Sequence, residues 1–443
     1  VLRIVSGIER IRTKHGAENA LWIDCGDLTQ GTFHMTFDRG DSMIRALSAA
    51  GCDAWIPGNH DFDYGPDVLS RHIRTFAGAA LAANLKLNGT RPPGWRLICR
   101  GGLRVAVIGI VPPYLEQWIP EHMLRGVETE TPEAAIDRIM PEIMNARPDL
   151  IVLAIHLGEF ASGRLHRDGG ERFSMPSLAS RFPQIDLILA GHSHQTCPGK
   201  AFSGGAWFVQ APPHGEGFAV VLCNIGGGET DFVSRTETAE NEPESRLLQP
   251  IFADVRAKAA AARNRRVAVL PFSLGPMKGA DDPCPLAELL AESMARATGA
   301  SGAFSSTLCA FETLPGPIDE ATLFQLVPYE NEIILLSLTE ERLNAIRAEQ
   351  KRGEFPESRM VEFRNADAPS EKDGRRIYAF GSFAASGAGG RFPVLAEIAR
   401  DPQSRRRATG IFVRDALRAH LKRAFPSESP DESAGESRTA SEL

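Results

Sequence analysis

Apolar positions in the first 240 residues alternate between helical spacing and short continuous runs. Ile4, Ile8 and Ile11 recur every three or four residues, so the segment 2–13 is predicted to be a helix. Thr131 and Pro132 are typical of a helix start, as N-cap and first helical residue. Short apolar runs that predict buried strands or strand ends lie at residues 20–23, 53–57, 103–110, 149–155 and 185–190. Strands that alternate with helices indicate a layered α/β domain.

The length of 443 residues is too great for one ordinary core, so we expect two domains. The first is predicted to span 1–238. The stretch Asn241–Arg266, polar at first and then Ala/Arg-rich, is interpreted as a connecting helix, so 239–266 is predicted to be a linker helix. A smaller α/β domain is expected over 267–425, with its first clear helix beginning at Pro285, and the Ser/Glu-rich segment 426–443 is predicted to be a disordered tail.

Charge and cysteine content exclude several classes of protein. The chain carries 49 Lys+Arg and 56 Asp+Glu, a formal net charge of −7, which argues against a groove for a nucleic-acid duplex. Small phosphorylated substrates remain compatible, because a bound metal neutralises their charge locally. The sequence contains no run of 18 or more apolar residues, so no membrane-spanning segment is predicted. The seven cysteines are widely spaced without a CxxC pair, which argues against a disulfide framework or a zinc knuckle.

Polar side chains follow four of the predicted strands at the point where each strand ends: Asp27, Asn59, His60, His156, His192 and His194. Because sites in open α/β sheets assemble beyond the carboxyl ends of strands, we expect these side chains to meet. A carboxylate, an amide oxygen and several imidazoles suit a divalent ion such as Zn²⁺, Mn²⁺ or Fe²⁺. Glycine precedes the key polar residue at Gly26, Gly58 and Gly191, where it would let the chain turn sharply towards one centre.

These motifs, Gly26-Asp27, Gly58-Asn59-His60-Asp61, His156 and Gly191-His192-Ser193-His194, resemble those of the calcineurin-like metallophosphoesterases. The resemblance implies a layered α/β/β/α domain and two divalent metal ions, each Zn, Mn, Fe, Co or Mg. By it, Asp27 bridges the two ions. The remaining assigned ligands are Asn59, His156 and His192 in one site and His194 in the other. His60 is then a general acid towards the phosphate or the leaving oxygen, oriented by Asp63.

The family pattern opens with a strand that carries an Asp-x-His motif. No such motif precedes Leu2 in this sequence. We interpret this as truncation, with a weakened enzyme that has one complete site as the alternative. The second metal site is then expected to be incomplete in this chain, and the chain as given to be poorly active and prone to aggregation. If the second site were nevertheless filled, His15, His34 and His214 would be the first candidates for its missing ligands.

The second half resembles the nucleotide-recognising domain of the nucleotidase branch of this family. The matching stretches, in order, are Leu286–Glu292, Gly316–Ile318, Pro328-Tyr329, Asn331 and Gly389–Phe392. By this resemblance Tyr329 and Phe383 stack on the two faces of a base, and Asn331 belongs to the same substrate site. The alternative for either ring is an ordinary place in the core.

The resemblance extends to a substrate class. The 5′-nucleotidases carry Asn-Gly-Gly-Gly-x-Arg, where this chain has Ser305–Ala310 without arginine. Ile108–Pro113, Trp118 and Gly191–Lys200 are similar to the 2′,3′-cyclic-nucleotide 2′-phosphodiesterase/3′-nucleotidase group. Two features depart from that group: Asp63, where asparagine is frequent, and extra length between Gly387 and Phe392.

We therefore predict a metal-dependent hydrolase of 2′,3′-cyclic nucleotides and 3′-nucleotides that uses a metal-bound hydroxide. The alternatives are a 5′-nucleotidase or UDP-sugar hydrolase, a non-nucleotide phospho- or sulfo-ester hydrolase, and a binding module with a degenerate site. The expected partner is a small nucleotide, with no membrane or nucleic-acid duplex. The resemblance implies a periplasmic or extracellular location. A cytoplasmic location is the alternative, because the seven cysteines show no disulfide pattern.

Overall fold

The computed structural model describes residues 1–159, 173–226, 229–278, 282–309, 311–350, 359–366, 373–388 and 391–426. Three sequence predictions therefore fall wholly or partly outside the described residues. They concern the tail at 427–443, the glycines at 389–390 of the Gly389–Phe392 stretch, and position 310 at the end of Ser305–Ala310.

Short strands and helices alternate through the first half of the chain. Its helices are α1 (Leu2–His15), α2 (Asp41–Ala49), α3 (Pro66–Thr75), α4 (Pro132–Asn145), α5 (Met175–Arg181) and α6 (Ala253–Arg263). Its strands are β1 (Ile23–Asp24), β2 (Ala54–Trp55), β3 (Ala79–Ala80), β4 (Leu85–Leu87), β5 (Trp95–Arg100), β6 (Leu103–Ile110), β7 (Val127–Thr129), β8 (Leu150–Ile155), β9 (Leu187–Ala190), β10 (Cys197–Ala201), β11 (Trp207–Gln210), β12 (Gly217–Gly226) and β13 (Glu229–Thr238).

The second half begins with β14 (Arg266–Leu270). Its helices are α7 (Pro285–Thr298), α8 (Glu320–Leu326), α9 (Glu340–Gln350), α10 (Ser382–Ala385), α11 (Pro393–Arg400) and α12 (Val413–Ala424). Its further strands are β15 (Gly302–Ser305), β16 (Gly316–Asp319), β17 (Glu332–Leu338), β18 (Val361–Arg364), β19 (Arg376–Gly381) and β20 (Arg407–Phe412).

Two sheets pack face to face in the first half, which confirms the predicted α/β class. One sheet has the order β1-β2-β3, and the other has the order β10-β11-β9-β8-β6-β5. Ile56 beside the first sheet shares one buried cluster with Val107 and Val152 of the second. Helix α4 covers the outer face of the larger sheet through Ile136 and Ile139. Helices α2 and α3 cover the smaller sheet, so the layers run α/β/β/α as the resemblance implied.

Parallel pairing brings the ends of several strands to one edge. Strands β6, β8, β9 and β11 are parallel in the larger sheet, and β1, β2 and β3 are parallel in the smaller. Because parallel strands end on the same side, the loops after β1, β2, β8 and β9 meet there. These are the loops that carry the predicted metal ligands.

A second mixed sheet, of order β18-β15-β19-β17-β20, forms the core of the second half. Helices α7 and α12 pack on one of its faces through residues such as Leu290 and Leu417. Helices α9, α10 and α11 pack on the other through Leu343 and Leu395. The sheet therefore lies between two helical layers, as expected for a strand-rich segment that is buried on both faces.

The predicted connecting helix over Asn241–Arg266 is wrong in its extent, because α6 covers only Ala253–Arg263. The stretch before it includes Pro243 and lacks apolar periodicity, so it forms turns followed by a single 3₁₀ turn at Gln249–Phe252. Phe252 and Val255 pack with Leu2 and Val5 of α1. The predicted strands at 20–23 and 185–190 are likewise shorter in the structure, as β1 and β9.

Several polar contacts join the first half of the chain to the second. Gln30 Nε2 donates to Pro328 O at 2.7 Å, and Ser386 Oγ donates to Gln117 O at 3.0 Å. His122 Nδ1 lies 2.7 Å from Glu332 Oε2. The first of these contacts joins the 327–331 loop to the loop after β1. Over the ranges given above, none of the helices has the length and apolar character that crossing a membrane requires.

Candidate metal centre and substrate site

Three of the predicted ligands converge at the strand ends. Ligand atoms of Asp27, His156 and His192 all lie within 4.8 Å of one another. Asp27 follows β1, His156 follows β8 and His192 follows β9. The structure thus brings together three of the side chains that the sequence predicted to meet, and each of them lies in the loop after a strand.

His156 is held in the orientation that a metal ligand needs. Its Nδ1 donates to the carbonyl oxygen of Cys25, which leaves the Nε2 lone pair directed at the centre. Nε2 is buried and lies 3.0 Å from Asp27 Oδ2, yet it is not aligned for a hydrogen bond. A buried polar atom without a hydrogen bond is costly unless something else binds it. Two ligands that face a shared cation would have this arrangement.

Asn59 and His192 lie side by side. His192 Nδ1 is 2.9 Å from Asn59 Oδ1, and the edge of the Trp118 ring packs against His192 with centroids 4.8 Å apart. Burial and the neighbouring His156 lower the pKa of His192 to about 3. The imidazole is therefore neutral at physiological pH, which is the form that binds a metal.

The glycines around the centre act by two different means. Gly26 has φ +98°, so it makes the sharp turn that the sequence predicted. Gly58 has an ordinary φ of −89°. It is required for space, because a Cβ there would lie 2.2 Å from Asp27 Oδ1. Positive φ angles of 59° and 70° fall instead on Asp27 and His192 themselves, and such strained non-glycine residues cluster at functional sites.

Asp61 was quoted in the motif but assigned no role by sequence reasoning. Its carboxylate accepts hydrogen bonds from the backbone N–H groups of Asp27, Leu28, Thr29 and Gly58 and from Thr29 Oγ1, at 2.8–3.1 Å. It therefore joins the loop after β1 to the loop after β2 and fixes the backbone on which Asp27 stands. Its place in Gly58-Asn59-His60-Asp61 was the only signal available in the sequence.

His60 lies beside the centre with its partner Asp63. His60 Nδ1 is 3.0 Å from Asp63 Oδ2, and its backbone N–H donates to Asp27 Oδ1 at 2.8 Å. Burial alone would lower the pKa of His60, but the carboxylates of Asp63 and Asp27 outweigh it and raise that pKa to about 9. His60 is therefore protonated at neutral pH and has a proton to donate.

The predicted substrate residues lie together across the cleft. The Tyr329 ring stacks on the His60 ring, with centroids 5.3 Å apart and an interplanar angle of 26°. Tyr329, Asn331 and Phe383 line one small cavity of about 50 Å³. Asn331 Oδ1 accepts from the backbone N–H of Phe383 at 3.3 Å. Phe383 is also partly packed against the hydrophobic core of the second half. This ring therefore contributes to the core, which was the alternative to a place in the substrate site.

His194 does not belong to the three-residue group of Asp27, His156 and His192. Its ring packs edge-on against His214, with centroids 4.6 Å apart. Burial and the neighbouring His214 lower the pKa of His194. Asp27, Asn59, His156 and His192 form a donor set of one carboxylate, one amide oxygen and two imidazoles, which fits a borderline divalent ion.

Residues 3–196 match the family described as calcineurin-like phosphoesterase. Together with the strand-end donor set, this match shows that the first half of the chain contains a calcineurin-like phosphoesterase domain. That family uses divalent metals, and Asp27, His156 and His192 are a possible group to hold one.

Comparison with individual proteins points to nucleotidases. The chain is 25% identical over 290 residues to a 2′,3′-cyclic-nucleotide 2′-phosphodiesterase/3′-nucleotidase of Haemophilus influenzae, covering 59% of this chain and 43% of that protein. It is 24% identical over 196 residues to a 5′-nucleotidase of Vibrio cholerae, covering 42% of this chain and 35% of that protein. The chain thus spans less than half the length of these curated relatives.

The likeness to known structures extends beyond the phosphoesterase domain. The structure of a putative 5′-nucleotidase from Staphylococcus aureus superposes with a TM-score of 0.77 at 15% identity, covering 97% of this chain and 92% of that one. At this identity the likeness concerns the fold alone. It confirms the predicted fold class, a layered α/β phosphoesterase domain followed by further α/β structure.

Proposed function

We propose that this chain is a metal-dependent hydrolase of nucleotide phosphoesters. The observation that carries the proposal is the position of His60 between two features. On one side lies the group of Asp27, His156 and His192, and on the other lies the stacked ring of Tyr329 from the second half of the chain. A phosphate at the first feature and a base at the second would place the ester oxygen near His60.

The residues divide the reaction between them. Asp27, Asn59, His156 and His192 would hold a divalent ion, and His194 is assigned to a second. Bound ions supply Lewis acidity to the phosphoryl group and make water a nucleophile near neutral pH. His60 protonates the departing oxygen, and Asp63 keeps its ring oriented and charged. The Trp118 ring packs edge-to-face with His192 and supports its orientation.

The aromatic rings beside the cleft that Tyr329 shares with Asp27, His60 and His192 supply the affinity for the nucleoside part of the substrate. Stacking on an aromatic ring contributes about 1–3 kcal/mol per base and tolerates different bases. In this proposal Tyr329 and Phe383 provide that surface. Asn331 orders the site by accepting the backbone hydrogen bond of Phe383, so it joins the two ring-bearing segments.

We further propose a preference for 3′-AMP and 2′,3′-cyclic AMP over 5′-AMP. It rests on the absence of arginine from the Ser305–Ala310 sequence and on the resemblance of the Trp118 and Gly191–Lys200 stretches to the cyclic phosphodiesterase group. The expected result is a kcat/KM at least about tenfold higher for the first two substrates, because a phosphate-binding arginine is worth about 1.5–3 kcal/mol. A substrate panel on one enzyme preparation measures this, with metal content as the control. A clear preference for 5′-AMP would favour the 5′-nucleotidase alternative.

A further inference from the structure

The loop that carries Tyr329 has little regular structure of its own. Residues 327–331 connect the end of α8 to the start of β17 and belong to neither. Yet the Tyr329 ring keeps a stacked geometry on His60. Something outside the loop must therefore fix it, because an irregular segment gains no rigidity from a backbone hydrogen-bond ladder.

Arg414, in the first turn of α12, contacts the loop on both sides of Tyr329. Its Nε donates to Val327 O at 2.7 Å, and its Nη1 donates to Glu330 Oε1 at 2.7 Å. The two anchor points lie on either side of Pro328-Tyr329 in sequence. A planar guanidinium presents donors in a fixed fork, so one side chain reaches both partners at once.

The guanidinium is itself held in place. Its carbon lies 4.8 Å from the centroid of the Phe324 ring of α8, and the side chain is only 11% exposed. The backbone N–H of the preceding residue, Val413, donates to Asn331 O at 2.8 Å. The start of α12 thus contacts the residues on both sides of Tyr329 and also Asn331, which binds the backbone of Phe383.

We propose that Arg414 is a positioning residue that holds the 327–331 loop so that Tyr329 meets the nucleoside part of the substrate. This inference rests on the proposed function. Arg414 acts through Tyr329 and does not touch the reacting atoms. It therefore controls the affinity for nucleotides and leaves the chemistry at the phosphate unchanged.

Arg418 provides a matched control. It lies one turn further along α12 and binds Glu320 at the start of α8, at 3.0 Å, and Asp415. Arg414→Gln and Arg418→Gln thus remove the same charge from the same helix. Only the first removes contacts to the 327–331 loop.

The kinetic test compares 3′-AMP with bis(p-nitrophenyl) phosphate, which has no nucleoside. Arg414→Gln is expected to raise KM for 3′-AMP about tenfold, with kcat and metal content nearly unchanged. A tenfold loss of affinity lies within the free energy that one stacked base contributes, about 1–3 kcal/mol. Turnover of the aryl ester should change less than about twofold. A twofold change is a small difference in free energy, since a tenfold change corresponds to about 1.4 kcal/mol. Arg418→Gln should leave the ratio between the two substrates as in the wild type. A uniform loss on both substrates in Arg414→Gln would overturn the proposal.

A double-mutant cycle shows whether Arg414 works through the ring. In a Tyr329→Ala background, Arg414→Gln should have no further effect on KM for 3′-AMP, because the group that it positions is gone. Independent, additive effects would contradict the inference. If Arg414→Gln does not fold, Arg414→Lys carries the same test, since lysine keeps the charge but lacks the fork that reaches both Val327 O and Glu330.

A measurement without turnover separates this inference from the proposed function. The chain has four tyrosines, so 3-fluorotyrosine labelling should give few fluorine resonances, and Tyr329→Phe identifies the one from Tyr329. That resonance should shift in Arg414→Gln and stay in place in Arg418→Gln. An unchanged resonance would show that Arg414 does not position the ring. If the resonance shifts but the wild type hydrolyses aryl esters and no nucleotide, the proposed function fails together with the nucleoside part of the inference.

Discussion

Replacing Asp27 is expected to remove bound divalent metal from the protein. Asp27 is the carboxylate among the three converging ligands, and its negative charge offsets that of the ion. The neighbouring His156 and His60 hold the pKa of Asp27 below its usual range, although burial acts in the opposite direction. The carboxylate is therefore charged and ready to bind. We expect Asp27→Asn to weaken metal binding by roughly 100-fold or more, because even residues that only orient a metal ligand are worth about 10–100-fold.

Asparagine is the better substitution at this position. Asp27 has φ +59°, a conformation that asparagine tolerates better than alanine. The amide oxygen also remains available to the backbone N–H of His60, which donates to Asp27 Oδ1. Asp137, which pairs with Arg181 on the surface, provides a control as Asp137→Asn. Metal analysis after dialysis measures the effect, and equal metal content in wild type and Asp27→Asn would remove Asp27 from the ligand set.

The second large effect is expected from His60→Asn, which should lower kcat for 3′-AMP about 10²–10⁴-fold, the usual contribution of a general acid. Metal content should stay near that of the wild type, because His60 is assigned to the substrate. Asp63→Asn should act in the same direction but more weakly, since it removes the carboxylate that orients His60 and keeps it charged.

The leaving group distinguishes a general acid from a residue that only shapes the site. An aryl ester has a good leaving group that departs without a proton, so His60→Asn should affect p-nitrophenyl esters far less than 3′-AMP. An equal loss on both substrates would contradict the role of acid. Loss of metal from the variant would instead identify His60 as a ligand.

The sequence predicted that Asp27, His156 and His192 would meet because the signal was local. Each lies within a few residues of the end of an apolar run, and parallel strands bring such positions to one edge. Helix α4 was predicted for a similar reason, because Thr131 caps its first turn, accepting from Ala134 N at 3.3 Å. In both cases the residues from which the feature was predicted lie within a short stretch of sequence.

Residues that act over long separations in the chain could not be found in this way. Arg414 binds Val327, 87 positions earlier, and nothing in the neighbourhood of either residue predicts that contact. The assignment of Tyr329 to a base site came only from resemblance to a family, and the stack of Tyr329 on His60 was not predicted at all. Asp61 had a visible motif but no role, because its five donors come from two loops that meet only in the folded chain. The start of α6 was misjudged because the polar stretch before it, which includes Pro243, was included with the Ala/Arg-rich residues that do form the helix.

The most direct test of the central claim is hydrolysis of 3′-AMP by one protein sample before chelation, after removal of bound metal and after reloading with Mn²⁺ or Zn²⁺. Bound metal is measured at each stage. The structure predicts that turnover falls to background together with metal content and returns on reloading, while Asp27→Asn regains neither. Turnover that persists in metal-free protein would contradict a metal-dependent hydrolase at this site.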